Sequence, residues 1–408
     1  MKKVLITGAN FNNKGAQSML FICIDEIRRR YPDAKILFQT KERIDETNYH
    51  FEIVWINLND FKIANSDFKE IVISIARDAK ELFMGRKNEF MKTFHEIDKI
   101  KDVDLIIDIS GFSIGEKWGK WHNEGFLEKL KFAKKNKIPF FMMPQSIGPF
   151  LFEKNMSAEK AKKLRKNFAI YLKYPEIIYT REKDGKKCLA ELGITENVKE
   201  SPDLVLQNTG INPSNVFVKT PANSITEEVI TGGVALVPNS QVLRHGNEKT
   251  SFTVYQKVME QLLKNQRNVY IIRHSGEDKE LCDKLYSVIA SDKLHLINKD
   301  LSCLEYDSLI QKFDYVIGSR FHGIVHALRH EVPCIALGWA IKYQELLDSV
   351  GQGQYAFDIT KDENIYDIID AIQDMNAKVD ENKLIIREKL QEIRQNNCFS
   401  FLDDPRWR

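Results

Sequence analysis

The chain has no CxxC pair, no GxGxxG, no HExxH and no uninterrupted apolar run near 18 residues, and each absence closes a class of function. Its cysteines (Cys23, Cys188, Cys282, Cys303, Cys334, Cys398) stand at irregular intervals, several inside apolar helix or strand patterns. There a reduced thiol behaves as a small hydrophobe, so neither a disulfide framework nor a zinc site is expected. Without a long apolar run no membrane span is expected. The opening "MKKVLITGAN" reads as a short strand rather than the core of a signal peptide, and a cytoplasmic location is expected. An excess of one charge is missing too: 60 Lys and Arg against 58 Asp and Glu leave +2. That balance argues against a nucleic-acid partner held by broad electrostatics. "GANFNNKGA" carries only Gly8 and Gly15, and the next strand ends in Gln39 and Thr40 rather than an acid. A dinucleotide cofactor is therefore disfavoured.

What is present is a folded-protein composition, 43% hydrophobic and 29% charged, over 408 residues, long enough for two domains. Short apolar strands alternate with amphipathic helices: "KKVLITG", "QSMLFICIDEIRRRYP", "AKILFQT", "FEIVWINL", "DVDLIIDISG", "WHNEGFLEKLKFAKKNK", "IPFFMMPQSIGPF". The alternation predicts an α/β fold of parallel sheets covered by helices. Residues 207–231 turn Asn-, Thr- and Pro-rich, a linker signal, and "GVALVPN" opens a second set of units. Two Rossmann-like domains facing a cleft are expected: 1–208, a linker at 209–230, 231–375, and a C-terminal helix and tail at 376–408 that could pack back on the first domain. Residues 68–94 read as a helix apolar on one side and basic on the other. Two readings stay open for it, a membrane-surface helix and one packed on its own domain.

In open α/β sheets, ligands bind beyond the carboxyl ends of the strands. The polar residues at those tips are Asn10, Asn13, Gly15, Asp108, Gln145, Arg181 and Asp203 in the first half. In the second half they are Asn239, Arg244, His274, Arg320, His322 and Gly323. "DYVIGSRFHGIVHALRHEVPCIAL" is the sharpest case. Arginine presents a planar fork that suits a carboxylate or phosphate, and a helix beginning near Gly323 would add free N–H groups. Histidine as a residue type titrates near neutrality and can pass a proton, which makes His322 a candidate for proton transfer. His326 and His330 follow at helical spacing, but with no ligand pattern around them they read as packing or solvent-facing residues, and no metal is expected. In "IIRHSGED", Arg273 and His274 point to opposite faces, and His274 is the one assigned to the cleft.

The ordered set "LITGANFNNKGAQSML", "DLIIDISGFSIG", "PQSIGPF", "TREKDGKKCLAELGI", "SPDLVL", "YIIRHSGED" and "VIGSRFHGIVHAL" resembles the polysaccharide pyruvyl transferase family. The resemblance implies a two-lobed fold like that of GT-B glycosyltransferases. It implies transfer of the pyruvyl group of phosphoenolpyruvate to two hydroxyls of a sugar in a polysaccharide or lipid-linked glycan precursor, as in capsule or exopolysaccharide biosynthesis. The products would be a cyclic ketal and phosphate. Phosphoenolpyruvate is then a co-substrate, with no cofactor, and a lipid-linked acceptor would bring peripheral contact with the inner face of a membrane. On this reading Arg320 clamps an anionic group and His322 is the acid or neutralises phosphate. Asp108 or Asp203 would be the base. Gly323, His274, Arg244 and Asn239 join Arg320 and His322 on the donor side. Asn10, Asn13, Gly15, Gln145, Arg181 and Asp203 line the acceptor side. The chain departs from many members in having Gly15-Ala16 for Gly-Asp, and Asn239 where an arginine is common. The alternative is a GT-B-type glycosyltransferase using a nucleotide sugar. The acid that retaining enzymes place on the helix after the tip appears here only at its far end, as Glu331. A non-catalytic binder of phosphorylated ligands is a third class.

Overall fold

The computed structural model describes residues 2–66, 83–222, 225, 228–339, 341–360 and 365–407. The first lobe is built on eight parallel strands: β1 (Lys3–Thr7), β2 (Lys35–Gln39), β3 (Glu52–Val54), β4 (Leu105–Asp108), β5 (Phe112–Ile114), β6 (Phe140–Ile147), β7 (Ile177–Thr180) and β8 (Val198–Glu200). Their order is β3-β2-β1-β4-β6-β7-β8, with β5 paired to β6 beside that path. The second lobe has six: β9 (Gly233–Val237), β10 (Asn268–Ile272), β11 (Leu294–Ile297), β12 (Tyr315–Gly318), β13 (Cys334–Gly338) and β14 (Ala356–Asp358). Their order is β11-β10-β9-β12-β13-β14.

Central strands such as β9 and β12 are buried at every position, because helices cover both faces of a parallel sheet; near-continuous apolar runs are the consequence. In each sheet the order reverses beside the first strand, between β1 and β4 and between β9 and β12. Such switch points open a crevice at the strand tips. The helices that frame the site are α1 (Lys14–Arg30), α2 (Lys120–Lys135), α3 (Cys303–Ile310), α4 (Phe321–Arg329), α5 (Ile341–Ser349) and α6 (Ile365–Arg394). Asn13 caps α1 by accepting from the amides of Gly15 (2.9 Å) and Ala16 (3.3 Å), and three arginines close its last turn. Both ends thus suit the helix dipole.

The linker is pinned to the first lobe through Val216, Phe217 and Val218, whose backbone pairs with that of Asn48 to His50. After α6, which kinks at Lys378, the chain returns to the first lobe, where Phe401 stacks on Phe141 with centroids 4.0 Å apart. All the cysteines are buried free thiols. Among the described residues no helix is long and apolar enough to cross a membrane. Of the amphipathic stretch 68–94, residues 68–82 lie outside the described residues; the helix Phe83–Asp98 follows.

Candidate active site

The tip of β12 is held by buried hydrogen bonds. The Ser319 carbonyl accepts from Asn239 Nδ2 (2.9 Å) and Tyr343 Oη (2.7 Å), and its hydroxyl accepts from Tyr255 Oη (2.7 Å). Asn239 is therefore a buried brace and a helix cap, not a ligand contact. Arg320 leaves the tip in extended backbone and starts α4. Two of its three guanidinium nitrogens are engaged by protein. Nε and Nη2 lie 2.8 and 2.5 Å from the two oxygens of Asp278, and Nη2 is 2.7 Å from Glu277. Asp278 is 0% exposed, so the bidentate clamp expected for an anion here neutralises a buried carboxylate instead. Arg244 stands 66% exposed at 3.9 Å from Glu277, on the surface. Gly323 faces inward: a Cβ would lie 3.1 Å from Val237 and 3.2 Å from the Tyr306 hydroxyl. It serves helix–sheet packing rather than a ligand. His274 is buried edge-on to Tyr306, and burial, with Lys14 and Arg320 near, pushes its pKa well below the usual value. It is a neutral imidazole whose Nε2 has no hydrogen-bond partner among the described residues.

His322 reaches across to the first lobe. Its Nε2 is 3.5 Å from Asp203, and its ring lies against Gly15, where a Cβ would come within 2.0 Å of Cγ. Asp203 accepts from Arg181 Nη1 at 2.8 Å and caps the short helix Leu204–Gln207. Burial works to raise its pKa, but His322 and Arg181 outweigh that and hold the carboxyl below the ordinary range. Arg181 also donates to the Ser146 hydroxyl (2.7 Å), which donates to Glu182 (2.7 Å). The guanidinium sits 4.5 Å from the centre of the Phe321 ring. Gly15, Arg181 and Asp203, expected on an acceptor side, thus share one site with His322.

Two expected residues lie beneath the tips. Asp108 is 0% exposed and paired with buried Lys129 of α2, and it accepts from Thr7 Oγ1 at 2.7 Å. A carboxylate so neutralised and enclosed cannot serve as the catalytic base of the cleft. Gln145 is buried beside it, accepting from Ser113 at 2.9 Å. The sequence carried a signal for this pair: Lys129 interrupts the apolar stripe of Phe126, Leu130 and Ala133. Asn10 and Asn13 form the turn before α1, where Asn10 accepts from the Asn13 amide (2.9 Å), and Asn13 bridges to Ser275 of the other lobe. His326 is buried between lobes, 3.1 Å from Ser18 and 2.7 Å from Asp307.

A cleft of about 780 Å3 opens between the lobes, lined by Trp118, Ser146, Glu182, Arg320, Trp339 and Lys342 among others. A depression of about 500 Å3, lined by Arg181, Asp203, Phe321 and again Lys342, adjoins it. Lys342, Trp118 and Trp339 escaped the sequence reading. Lys342 and Trp339 follow β13, in "LGWAIKY", where the rule that located the other tips would have found them.

The polysaccharide pyruvyl transferase family model matches residues 13–340. Comparison with curated proteins gives no match. Among solved structures the chain is similar to the UDP-GlcNAc 2-epimerase of Neisseria meningitidis (12% identity, 99% of this chain and 100% of that one, TM-score 0.55). It is also similar to S. aureus MnaA (10%, 99% and 97%, 0.54) and to the UDP-GlcNAc 2-epimerase of Methanocaldococcus jannaschii (14%, 91% and 92%, 0.50). At such identities the likeness is one of fold, the two-lobed GT-B arrangement.

Proposed function

The chain belongs to the polysaccharide pyruvyl transferase family, and from that premise we propose that it transfers the pyruvyl group of phosphoenolpyruvate to two hydroxyls of one sugar. The sugar belongs to a polysaccharide or lipid-linked precursor, and the products are a cyclic ketal and phosphate. The observation that carries this reading is the convergence of Arg181, Asp203 and Lys342 from both lobes on adjoining pockets, with His322 Nε2 3.5 Å from Asp203. A small donor with a phosphate and a carboxylate calls for cations close together, and a proton carrier among them.

In the proposed reaction His322, with Nε2 3.5 Å from Asp203, delivers a proton to the methylene carbon of the donor. The double-bond electrons form the new C–H bond, and the carbon bearing the ester oxygen becomes electrophilic. One sugar hydroxyl bonds to that carbon and its proton passes to the His322 imidazole, now neutral. The C–O bond to phosphate then breaks, the phosphate takes the electron pair, and the second hydroxyl closes the ring with loss of its own proton. Arg320 acts as a positioning residue, holding Asp278 and the start of α4 in place. A lipid-linked acceptor would bring the chain to the inner face of a membrane. Trp121, 71% exposed and next to Lys120, supports such contact from beside the cleft residue Trp118. Sedimentation with anionic vesicles checks it: Trp121→Ser should halve the bound fraction or more, and no loss would remove this surface from the proposal.

Thermal unfolding with phosphoenolpyruvate, set against a panel of UDP-sugars, tests the function itself. A ligand at about 100 times its dissociation constant adds roughly 2.7 kcal/mol, a visible shift. A shift with phosphoenolpyruvate alone is the expected result. A shift only with a UDP-sugar would replace this reading with glycosyl transfer. His322→Gln should keep donor binding and lose turnover by roughly 10²–10⁴.

A further inference from the structure

We propose that Lys14 and Arg273 form a separate anion site, held by Asp300 in the free protein, that takes a phosphoryl group of the acceptor. The acceptor assignment rests on the function proposed above; the anion site itself does not. Lys14 opens α1 in the first lobe, and Arg273 follows β10 in the second. Both are drawn out of water, the Lys14 side chain to 3% exposure and that of Arg273 to 9%. Charges so buried must be neutralised. Among the described residues the one carboxylate paired with either is Asp300, in the loop between β11 and α3, and its side chain is 77% exposed.

Asp300 fits the two cations loosely. One oxygen, Oδ1, serves both, 3.4 Å from Lys14 Nζ and 3.3 Å from Arg273 Nη2, whereas charge-assisted bonds run at about 2.7–2.9 Å. Arg273 Nε is buried and has no hydrogen-bond partner among the described residues. The same edge of Arg320, Nε with Nη2, takes both oxygens of Asp278. The edge of Arg273 is therefore half filled. Burial foremost lowers the Lys14 pKa, Asp300 works against it, and Arg273 adds repulsion, so the positive charge here is incompletely offset. A phosphoryl group brings three oxygens, one each for Nζ, Nη2 and Nε, and it takes the place of a carboxylate that can turn out into water. The position suits an acceptor. Neither cation lines the cleft or the depression. Lys14 precedes Gly15, against which the His322 ring lies, while Asp203 meets that ring at Nε2. A sugar whose hydroxyls react beside His322 can thus reach Lys14 and Arg273 with the phosphate that links it to a lipid or a nucleotide.

Calorimetric titration of the full chain with pyrophosphate, with and without saturating phosphoenolpyruvate, tests the site. Asp300→Asn, a change at an exposed side chain, removes the competing carboxylate. It should tighten pyrophosphate binding about fivefold, the upper strength of one exposed ion pair. Adding Arg273→Gln should erase that gain. Unchanged or weaker binding in Asp300→Asn overturns the proposal, because Asp300 is then a plain tie between the lobes. A gain that survives Arg273→Gln overturns it too, since the anion then sits elsewhere. Phosphoenolpyruvate separates the readings. Equal pyrophosphate affinity in its presence supports the acceptor assignment, whereas full competition gives the site to the donor and overturns that assignment. If phosphoenolpyruvate fails to bind while the Asp300 effect persists, the proposed function falls, and the acceptor assignment with it, but the anion site stands.

Discussion

Gly15 and His322 meet more closely than a Cβ at position 15 would allow. A glycine in the first turn of α1 costs about 1 kcal/mol relative to alanine in helix propensity, yet here the missing Cβ is the space that the imidazole fills. Gly15→Ala should gain helix propensity but overpack the contact with the Cβ and Cγ of His322, pushing the ring away from Asp203 at a cost of about 1–3 kcal/mol in stability. Because a displacement near 1 Å in a catalytic group can cost about 10²-fold, initial rates of phosphate release should fall by about that factor at temperatures where the variant is still folded. A variant with unchanged rate would mean that the ring position has no bearing on the chemistry. The same scale explains two failed expectations. Nothing in "IDISG" says which carboxylate meets a lysine, and nothing in "GSRFHG" says that Arg320 already has Asp278.

Elements were easier to read than charges. Parallel strands buried on both faces must be apolar and short, so their ends are visible wherever a run such as "YVIG" or "VALV" meets polar residues. The C-terminal segment shows the limit of that signal. Its aromatics predict packing, but only the fold shows that Phe401 lies flat on Phe141 of β6, that Trp407 donates to the Phe401 carbonyl (2.8 Å), and that Tyr31 donates to Leu402 (2.7 Å). Phe401→Ala should destabilise the chain by about 3–5 kcal/mol, as other buried aromatic truncations do, measured by urea unfolding. A loss below 1 kcal/mol would show the segment to be a loose appendage rather than part of the first lobe.

For the whole molecule the two lobes are joined by more than the linker. Gln17 accepts from the Cys303 amide (2.9 Å), Lys14 meets Asp300 (3.4 Å), and His326 links Ser18 to Asp307. One apolar cluster also runs through both lobes, from Met19 and Ile22 to Cys303 and Val325. Calorimetry should accordingly record one unfolding transition, and two well-separated transitions in wild type would show the lobes to be independent. His326→Ala removes a buried ring and leaves Ser18 and Asp307 short of a partner. It should cost about 2–4 kcal/mol and lower the transition without splitting the first lobe from its own C-terminal segment.

The sequence alone determined the class of fold, the positions of the strand tips and the family, because apolar periodicity and ordered motifs are local properties of the chain. It did not determine which tip residues face a ligand. Asp108 and Lys129 are 21 residues apart, Arg320 and Asp278 42, Lys14 and Asp300 286. Such partners are chosen by strand order and by the closing of two lobes. Burial then decides the rest, since a charge removed from water must be neutralised by whatever stands beside it. Only the tertiary structure could therefore pair Arg320 with Asp278, bury Asp108 against Lys129 and place Lys342 at the cleft with no ion pair among the described residues.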